Sequence, residues 1–315
     1  MLDFHEKWFS YRLKIALLCA FLVLFHLPNF GQQTIWLSQI YGQFSPNISF
    51  DKSVGETDLH EFGFRLRKLK PLDEDNILVP GIFVEFVDSK LSPLHKNITQ
   101  LYTMSPRMTL ERTYSDKWTG SYMVIPRLSS DIKGLGLRDF QLGSLLLWKY
   151  TQRKHKKYQF GLYANTDLFG PLVLPLYGIY YLSESQKFEV DILLPVTAEL
   201  NYRLRKNVRL GISFWAKGTS FNLHEYGKDK SGYYLEKRSA DLLGFIEFPF
   251  RENWFIQFML GHSFGRIQEV YKKNDKVKFA LGPIKIGDDR EQVNVDVDDG
   301  ILFKFRMLYR ISLAE

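Results

Sequence analysis

Ile301-Leu302-Phe303-Lys304-Phe305-Arg306-Met307-Leu308-Tyr309-Arg310-Ile311, close to the C-terminus, alternates with a period of two. Successive side chains of a β-strand point to opposite faces. Ile301, Phe303, Phe305, Met307, Tyr309 and Ile311 therefore share one face, and Leu302, Lys304, Arg306, Leu308 and Arg310 share the other. A helix, at 3.6 residues per turn, would scatter both sets around its circumference. The stretch reads as a strand with an apolar, aromatic face backed by a largely basic one.

The pattern repeats upstream. Ala198, Leu200, Tyr202 and Leu204 oppose Glu199, Asn201, Arg203 and Arg205; Phe188, Val190, Ile192 and Leu194 oppose Glu189 and Asp191. Leu210, Ile212, Phe214 and Ala216 oppose Arg209, Gly211, Ser213 and Lys217, and Phe62, Phe64 and Leu66 oppose Gly63, Arg65 and Arg67. Tyr158, Phe160, Leu162 and Ala164 face away from Gln159, Gly161 and Asn165, and weaker runs fill much of the remainder. Ser183-Glu184-Ser185-Gln186, Lys206-Asn207 and Arg251-Glu252-Asn253 are connectors of hairpin length, whereas 222–238, 272–278 and 287–299 are long and charged. With no amphipathic helix of three turns and no Pro/Gly/Ser linker, the chain reads as one all-β domain. Short turns at one end and long loops at the other are the habit of an antiparallel up-and-down transmembrane β-barrel.

Composition agrees with that reading. Of 315 residues 45% are hydrophobic and 16% aromatic, yet mean hydropathy is −0.20. That excludes a bundle of membrane-spanning helices, each of which needs about 20 consecutive apolar residues. Alternation of rings with charges lets the average cancel while one face stays lipid-compatible. The net charge of +7 is spread through the strands and gives no nucleic-acid footprint.

The one long apolar run, Ile15–Phe25, follows Arg12 and Lys14 and is too short to span a bilayer. It reads as the core of a secretory signal over residues 1–31, cleaved after Gly31, which leaves a barrel domain of 32–315. Three cations (Lys7, Arg12, Lys14) and two anions (Asp3, Glu6) would leave with it, giving +6. The single cysteine, Cys19, lies inside the signal, and Ala16-Leu17-Leu18 before it lacks the small residues of a lipobox. The expected location is the cell outer membrane.

Strands of about 9–11 residues with their connectors predict close to twelve strands, with ten or fourteen as the even-numbered alternatives. Lys187 to Arg205 keeps one parity through Pro195, which fits either one long strand or two joined by a bend at Leu194-Pro195-Val196. Aromatics near strand ends, Trp148 with Tyr150, Tyr177 with Tyr180 and Tyr181, Tyr233 with Tyr234 and Trp254 with Phe255, suit the two interfacial girdles of a barrel. The inner face would carry Arg65, Arg67, Glu85, Glu189, Asp191, Glu199, Arg203, Arg209, Glu247, Lys304 and Arg306. Charges of both signs there either pair across a narrow or loop-plugged interior or line a water-filled path.

Motifs for chemistry are sparse. Gly261-His262-Ser263-Phe264-Gly265 matches the G-x-S-x-G nucleophile pattern, which needs a strand-to-helix elbow; here no helix follows, and adjacent His262 and Ser263 fall on opposite strand faces. The acidic tract Asp288, Asp289, Glu291, Asp296, Asp298 and Asp299 departs from the EF-hand order and reads as a solvated loop. The basic run Arg153-Lys154-His155-Lys156-Lys157 reads as a charged connector. No cofactor and no resident metal is expected.

Gly31-Gln32-Gln33, the alternating strands, Pro175-Leu176-Tyr177-Gly178, Leu193-Leu194-Pro195 and the stretch Gly211 to Gly218 resemble the uncharacterised outer-membrane β-barrel proteins of Gram-negative bacteria that are grouped as a domain of unknown function. The resemblance covers residues 35–313 and implies no catalytic residues. It implies outer-membrane lipid, lipopolysaccharide and the barrel assembly machinery as partners. The usual terminal aromatic is replaced by Ser312-Leu313-Ala314-Glu315. The expected function is a non-enzymatic barrel with a structural role or a role in passage or binding of small molecules. The alternatives are a barrel enzyme acting on lipids and a soluble secreted β-sandwich that binds carbohydrate.

Overall fold

The alternating runs form long strands, and hydrogen-bonded neighbours place residues of one polarity on one face. In the computed structural model residues 33–51, 55–93, 98–205, 207–226 and 232–313 are described; the segment read as a secretory signal, with Cys19, lies outside them. The chain divides into two units, Met1–Ile35 with Ile311–Glu315, and Trp36–Arg310. Of the first, Gln33–Ile35 and Ile311–Leu313 are described, both extended. The second carries the interactions that follow.

The strands are β1 (Gln33–Ser49), β2 (Glu56–Arg67), β3 (Asn76–Ser89), β4 (Thr99–Ser115), β5 (Trp118–Ser130), β6 (Phe140–Arg153), β7 (Lys156–Asp167), β8 (Gly170–Leu182), β9 (Phe188–Leu194), β10 (Thr197–Arg205), β11 (Val208–Leu223), β12 (Tyr233–Arg251), β13 (Trp254–Lys272) and β14 (Gly300–Leu313). Each pairs antiparallel with the next, and β14 returns to β1. The result is a closed antiparallel barrel, without the open edges of a flat sheet. Three short strands, Lys70–Pro71, Phe279–Leu281 and Ile284–Ile286, lie in connectors.

Fourteen strands replace the expected twelve, because several hairpins are tighter than an average connector allows. The ambiguous Lys187–Arg205 stretch resolves into β9 and β10. Leu193 pairs with Thr197, and because cross-strand partners share a face, this hairpin keeps odd residues on the same side throughout. Parity alone therefore hid the turn, while Pro195, which cannot donate to a ladder, marks it.

The polarity of the barrel is inverted relative to a soluble domain. Outward residues of the wall are apolar and exposed: Phe140 at 57%, Phe258 at 55% and Ile301 at 54%. Inward residues of the wall are polar and buried: Gln257 at 0%, Glu247 at 2% and Lys304 at 4%. On β6 the outward set Phe140, Leu142, Leu146, Trp148 and Tyr150 extends over a length suited to a bilayer-spanning strand of about 9–11 residues. Outward rings gather toward the end that holds the Ser115–Trp118 and Arg251–Trp254 turns, where Trp118 meets Tyr150 at 5.0 Å and Trp254 meets Tyr309 at 5.1 Å. Toward the other end Phe86 meets Tyr102 at 5.4 Å. Four of the rings read as girdle residues are elsewhere, Tyr233 among them, which packs against the apolar cluster around Leu235. Tyr180 turns inward to donate to Glu189 at 3.2 Å, Phe255 lies under the inward Arg310, and Tyr234 is buried in an apolar cluster. Adjacent strand residues face opposite ways, so aromatic pairs such as Trp254 and Phe255 cannot both face out.

At the end opposite those turns, three strands leave the wall. β11 loses its β10 partner beyond Trp215, and β13 loses its β14 partner beyond Ser263. The outer parts of β11, β12 and β13 stay paired to one another, with a bulge between Arg238 and Ala240 and Gly265 at φ +54°, a backbone region that favours glycine. This three-stranded flap reaches the opposite side of the ring, where Asn222 bridges to Ser130 of β5. Strands six places apart in a closed barrel touch only across its interior, so the flap crosses the mouth. Phe221, Leu223, Leu235 and Val270 of the flap pack with Ile48, Leu59, Val87 and Leu101 of β1–β4.

Candidate functional site: a charged lumen beneath an inward flap

Three groups of polar side chains occupy the interior. In the central one, buried Glu61 of β2 accepts from Lys217 Nζ at 2.7 Å and Lys237 Nζ at 2.6 Å. Lys217 also lies 3.1 Å from Asp241, which accepts from Ser263 Oγ at 2.7 Å. Beside this network Tyr41 donates to Glu85 at 2.5 Å. Trp215 reaches across from β11 to within 6.2 Å of the Tyr41 ring, with Lys304 at 4.6 Å and Arg65 at 5.5 Å from its own ring centre. Cations over an indole face are favourable by about 0.5–2 kcal/mol each, and they hold the ring in the lumen.

Nearer the Arg251–Trp254 turn, Glu247 is gripped by both terminal nitrogens of Arg310 at 2.8 Å and by Gln257 at 2.6 Å, with Arg209 at 3.5 Å. Arg306 donates to Gln257 at 2.5 Å and to Glu199 at 3.2 Å. The planar guanidinium fork matches a carboxylate in two places at once. This girth of the wall is therefore cross-braced between β10, β12, β13 and β14.

The residues expected to line the interior all have inward parity. The structure joins Glu199, Arg209, Glu247 and Arg306 in the lower network, and places Arg65, Glu85 and Lys304 around Tyr41 and Trp215. Glu189 meets Tyr180, and Asp191 meets Gln159 at 3.4 Å. Arg67 stands one inward position beyond Arg65. Arg203 shares its pairing register with Arg209, not an ion pair, because two cations face each other there. The sequence reading omitted Tyr41, Glu61, Arg107, Arg127, Trp215, Lys237, Asp241 and Gln257. Extending the parity of Gly63, Arg65 and Arg67 back by one step would have found Glu61, and Trp215 has the parity of Arg209 and Lys217. Lys237 lies beside a bulge that no alternation reveals.

The G-x-S-x-G match is accounted for by wall geometry. Ser263 points inward to Asp241, whereas His262 packs on the outer face against Phe264 at 4.6 Å. A Cβ on Gly261 would fall on the carbonyl oxygen of Leu242, so the first glycine serves a close approach of strands and Gly265 serves the bend into the flap. The acidic tract supplies loop contacts: Asp288 binds Arg290 at 2.7 Å, Asp296 accepts from the Gln268 N–H at 3.1 Å and Asp299 from the Arg266 N–H at 2.8 Å. Among the described residues no three His, Cys, Asp or Glu side chains are grouped to hold a metal.

At the mouth, Asp139 fastens the flap. It accepts from Asn222 Nδ2 at 2.8 Å, lies 2.9 Å from His224 Nε2, and accepts from the Gly136 N–H at 2.7 Å. Burial would raise its pKa, but the Asn222 amide, the Gly136 N–H and His224 outweigh that and hold the carboxyl below its ordinary value. A depressed carboxylate stabilises the closed flap fully above the unfolded pKa of about 3.9, and that contribution is lost as pH falls through the lower folded value. Acidification below about pH 4 is thus expected to release the flap. Digestion by pepsin across this range, read at the 131–141 connector, checks it; the Asp139→Ala variant should be cleaved readily at the highest pH tested and show no acid step.

Among solved structures, an outer membrane channel from Pseudomonas putida F1 is similar over 91% of this chain and 97% of its own, at 12% identity and a TM-score of 0.45. The toluene transporter TbuX of Ralstonia pickettii is similar over 90% of each chain at 10% identity and 0.39. The toluene transporter TodX of P. putida is similar over 87% of this chain and 89% of its own at 10% identity and 0.35. No curated protein sequence matches. A family model matches residues 77–285, which run from β3 to the Ile284–Ile286 strand, and the chain belongs to that family, the domain of unknown function DUF6268.

Proposed function

We propose that the protein is a Gram-negative outer-membrane β-barrel that binds or passes small polar solutes through a charged lumen closed at one end by its own flap, and that its role is not catalytic. The observation that carries this reading is the inverted polarity: a continuous apolar outer band around buried charges is stable only where the surrounding medium is hydrocarbon. Outer-membrane lipid would contact the band, lipopolysaccharide the long-loop end, and the assembly machinery would insert the wall. The inward tie of Ser263 to Asp241 and the outward His262 support passage over lipid hydrolysis.

Expressed with its leader in a Gram-negative host, the protein should fractionate with outer membranes and migrate differently on gels when unheated. Recovery from the soluble periplasm would overturn the reading. Planar-bilayer recordings then separate a pore from a closed barrel, since silence at all voltages and salts excludes open passage.

A further inference from the structure

One sector of the inner wall is dense in cations. Arg65 and Arg67 of β2, Arg107 of β4 and Arg127 of β5 all point inward on two adjacent rows. Between them stand small residues, Gly81 opposite both Arg67 and Arg107, and Ser105 opposite Phe83. The guanidiniums of Arg65 and Arg107 lie 4.9 and 5.0 Å from the centre of the Phe83 ring. Arg127 donates one nitrogen to the Tyr163 hydroxyl at 3.2 Å. Arg107 Nε and Arg127 Nη1 are buried and have no hydrogen-bond partner. Buried donors are almost always satisfied, and a guanidinium left unpaired out of bulk water is unfavourable, so two such donors on neighbouring strands point to a group that arrives from outside the chain. Elsewhere in the lumen Lys217, Lys237, Arg209, Arg306 and Arg310 are answered by Glu61, Asp241, Glu199 and Glu247.

We propose that the Arg107 and Arg127 wall binds a small organic anion, a carboxylate carried on a flat body. The fork of a guanidinium matches the two oxygens of a carboxylate, only Gly81 and the short Ser105 side chain stand between the arginines on these rows, and Phe83 with Trp215 supplies flat apolar surface for the rest of the molecule. The inference deepens the reading of the barrel as a solute binder or conduit and rests on it.

The test uses the full folded chain in detergent, with benzoate, acetate and benzylamine as probes, followed by calorimetry and by the fluorescence of the lumen, where Trp215 neighbours Arg65. Benzoate should bind saturably and at least tenfold more tightly than acetate, with no binding of benzylamine. Arg107→Gln combined with Arg127→Gln should lose at least tenfold in benzoate affinity while the unheated gel mobility is kept, and Lys149→Gln, elsewhere on the wall, should bind as the parent does. A flat benzoate titration, equal binding of benzylamine, or undiminished binding by the double variant overturns the site. If the double variant does not fold, the three probes on the parent protein decide alone. A protein that fractionates with outer membranes but ignores benzoate loses only this site, whereas one found in the soluble periplasm loses the barrel reading whatever it binds.

Discussion

Glu61→Ala should be the most destabilising single substitution in the lumen, lowering stability by about 3–5 kcal/mol, the range for breaking a buried pair by deleting one partner. The Glu61 side chain is 1% exposed and accepts from two lysines on different strands, Lys217 and Lys237. Removing the carboxylate leaves two ammonium groups, with Lys217 retaining Asp241 and Lys237 retaining no acid among the described residues. Deletion of a partner costs more than the pair contributes, because desolvation of the survivor goes uncompensated. The comparison is Glu111→Ala, which breaks the Lys149 contact at 3.9 Å where both side chains are about one third exposed; such a pair is worth about 0–1 kcal/mol. The check is the temperature at which the unheated gel band converts to the heated one. Adding Lys237→Met to Glu61→Ala should recover part of the loss, since the two sites are directly coupled. Equal effects of Glu61→Ala and Glu111→Ala would refute the argument.

The closed barrel was legible wherever the alternation was clean. Ile301–Ile311, Thr197–Arg205 and Phe62–Arg67 face as the period-two pattern requires, because a one-residue slip would turn an entire row of charges toward the apolar side. What alternation cannot carry is count and depth. The β9 to β10 turn preserves parity, so one strand read the same as two. The flap was invisible for a different reason: its residues satisfy partners both within the three-stranded sheet and across the mouth, so Ser220, Asn222, Glu236 and Lys237 are buried alongside Phe221, Leu223 and Leu235, and polarity no longer tracks face. The interior residues were partly legible. Those on strands with several charges in the inner row were found, and those on β4 and β5, where the inner row is mostly uncharged (Leu101, Thr103, Ser105 and Thr109; Ser121, Met123 and Ile125), were not, which is why Arg107 and Arg127 emerged only from the fold.

Trp215→Ala should raise passage through the lumen, and by how much depends on the flap. Two constrictions stand in series: the indole, which reaches from β11 to Tyr41 of β1, and the flap held by Asp139 at the mouth. Resistances in series add, so removing the smaller one alone changes little. The indole is replaceable without undoing the wall, because it contributes its ring to the lumen and only its backbone to the pairs with Thr197 and Asp241. The loss is confined to ring contacts and to the cation contacts of Lys304, Arg65 and Lys217, the last at 5.8 Å. Lys217 then loses its ring contact, while Lys304 keeps Tyr41 and Arg65 keeps Phe83; with three cations facing the widened section, it should also favour anions, since charge rings set selectivity in a narrow pore. In the Asp139→Ala background, where the flap is loosened, Trp215→Ala is expected to increase single-channel conductance at least about twofold and to shift the reversal potential in a salt gradient toward anions. In the otherwise unaltered protein the increase should be smaller. Should the double variant conduct no more than Asp139→Ala alone, Trp215 does not set the width of the lumen, and the narrowest section lies instead at the Glu247, Arg306 and Glu199 brace.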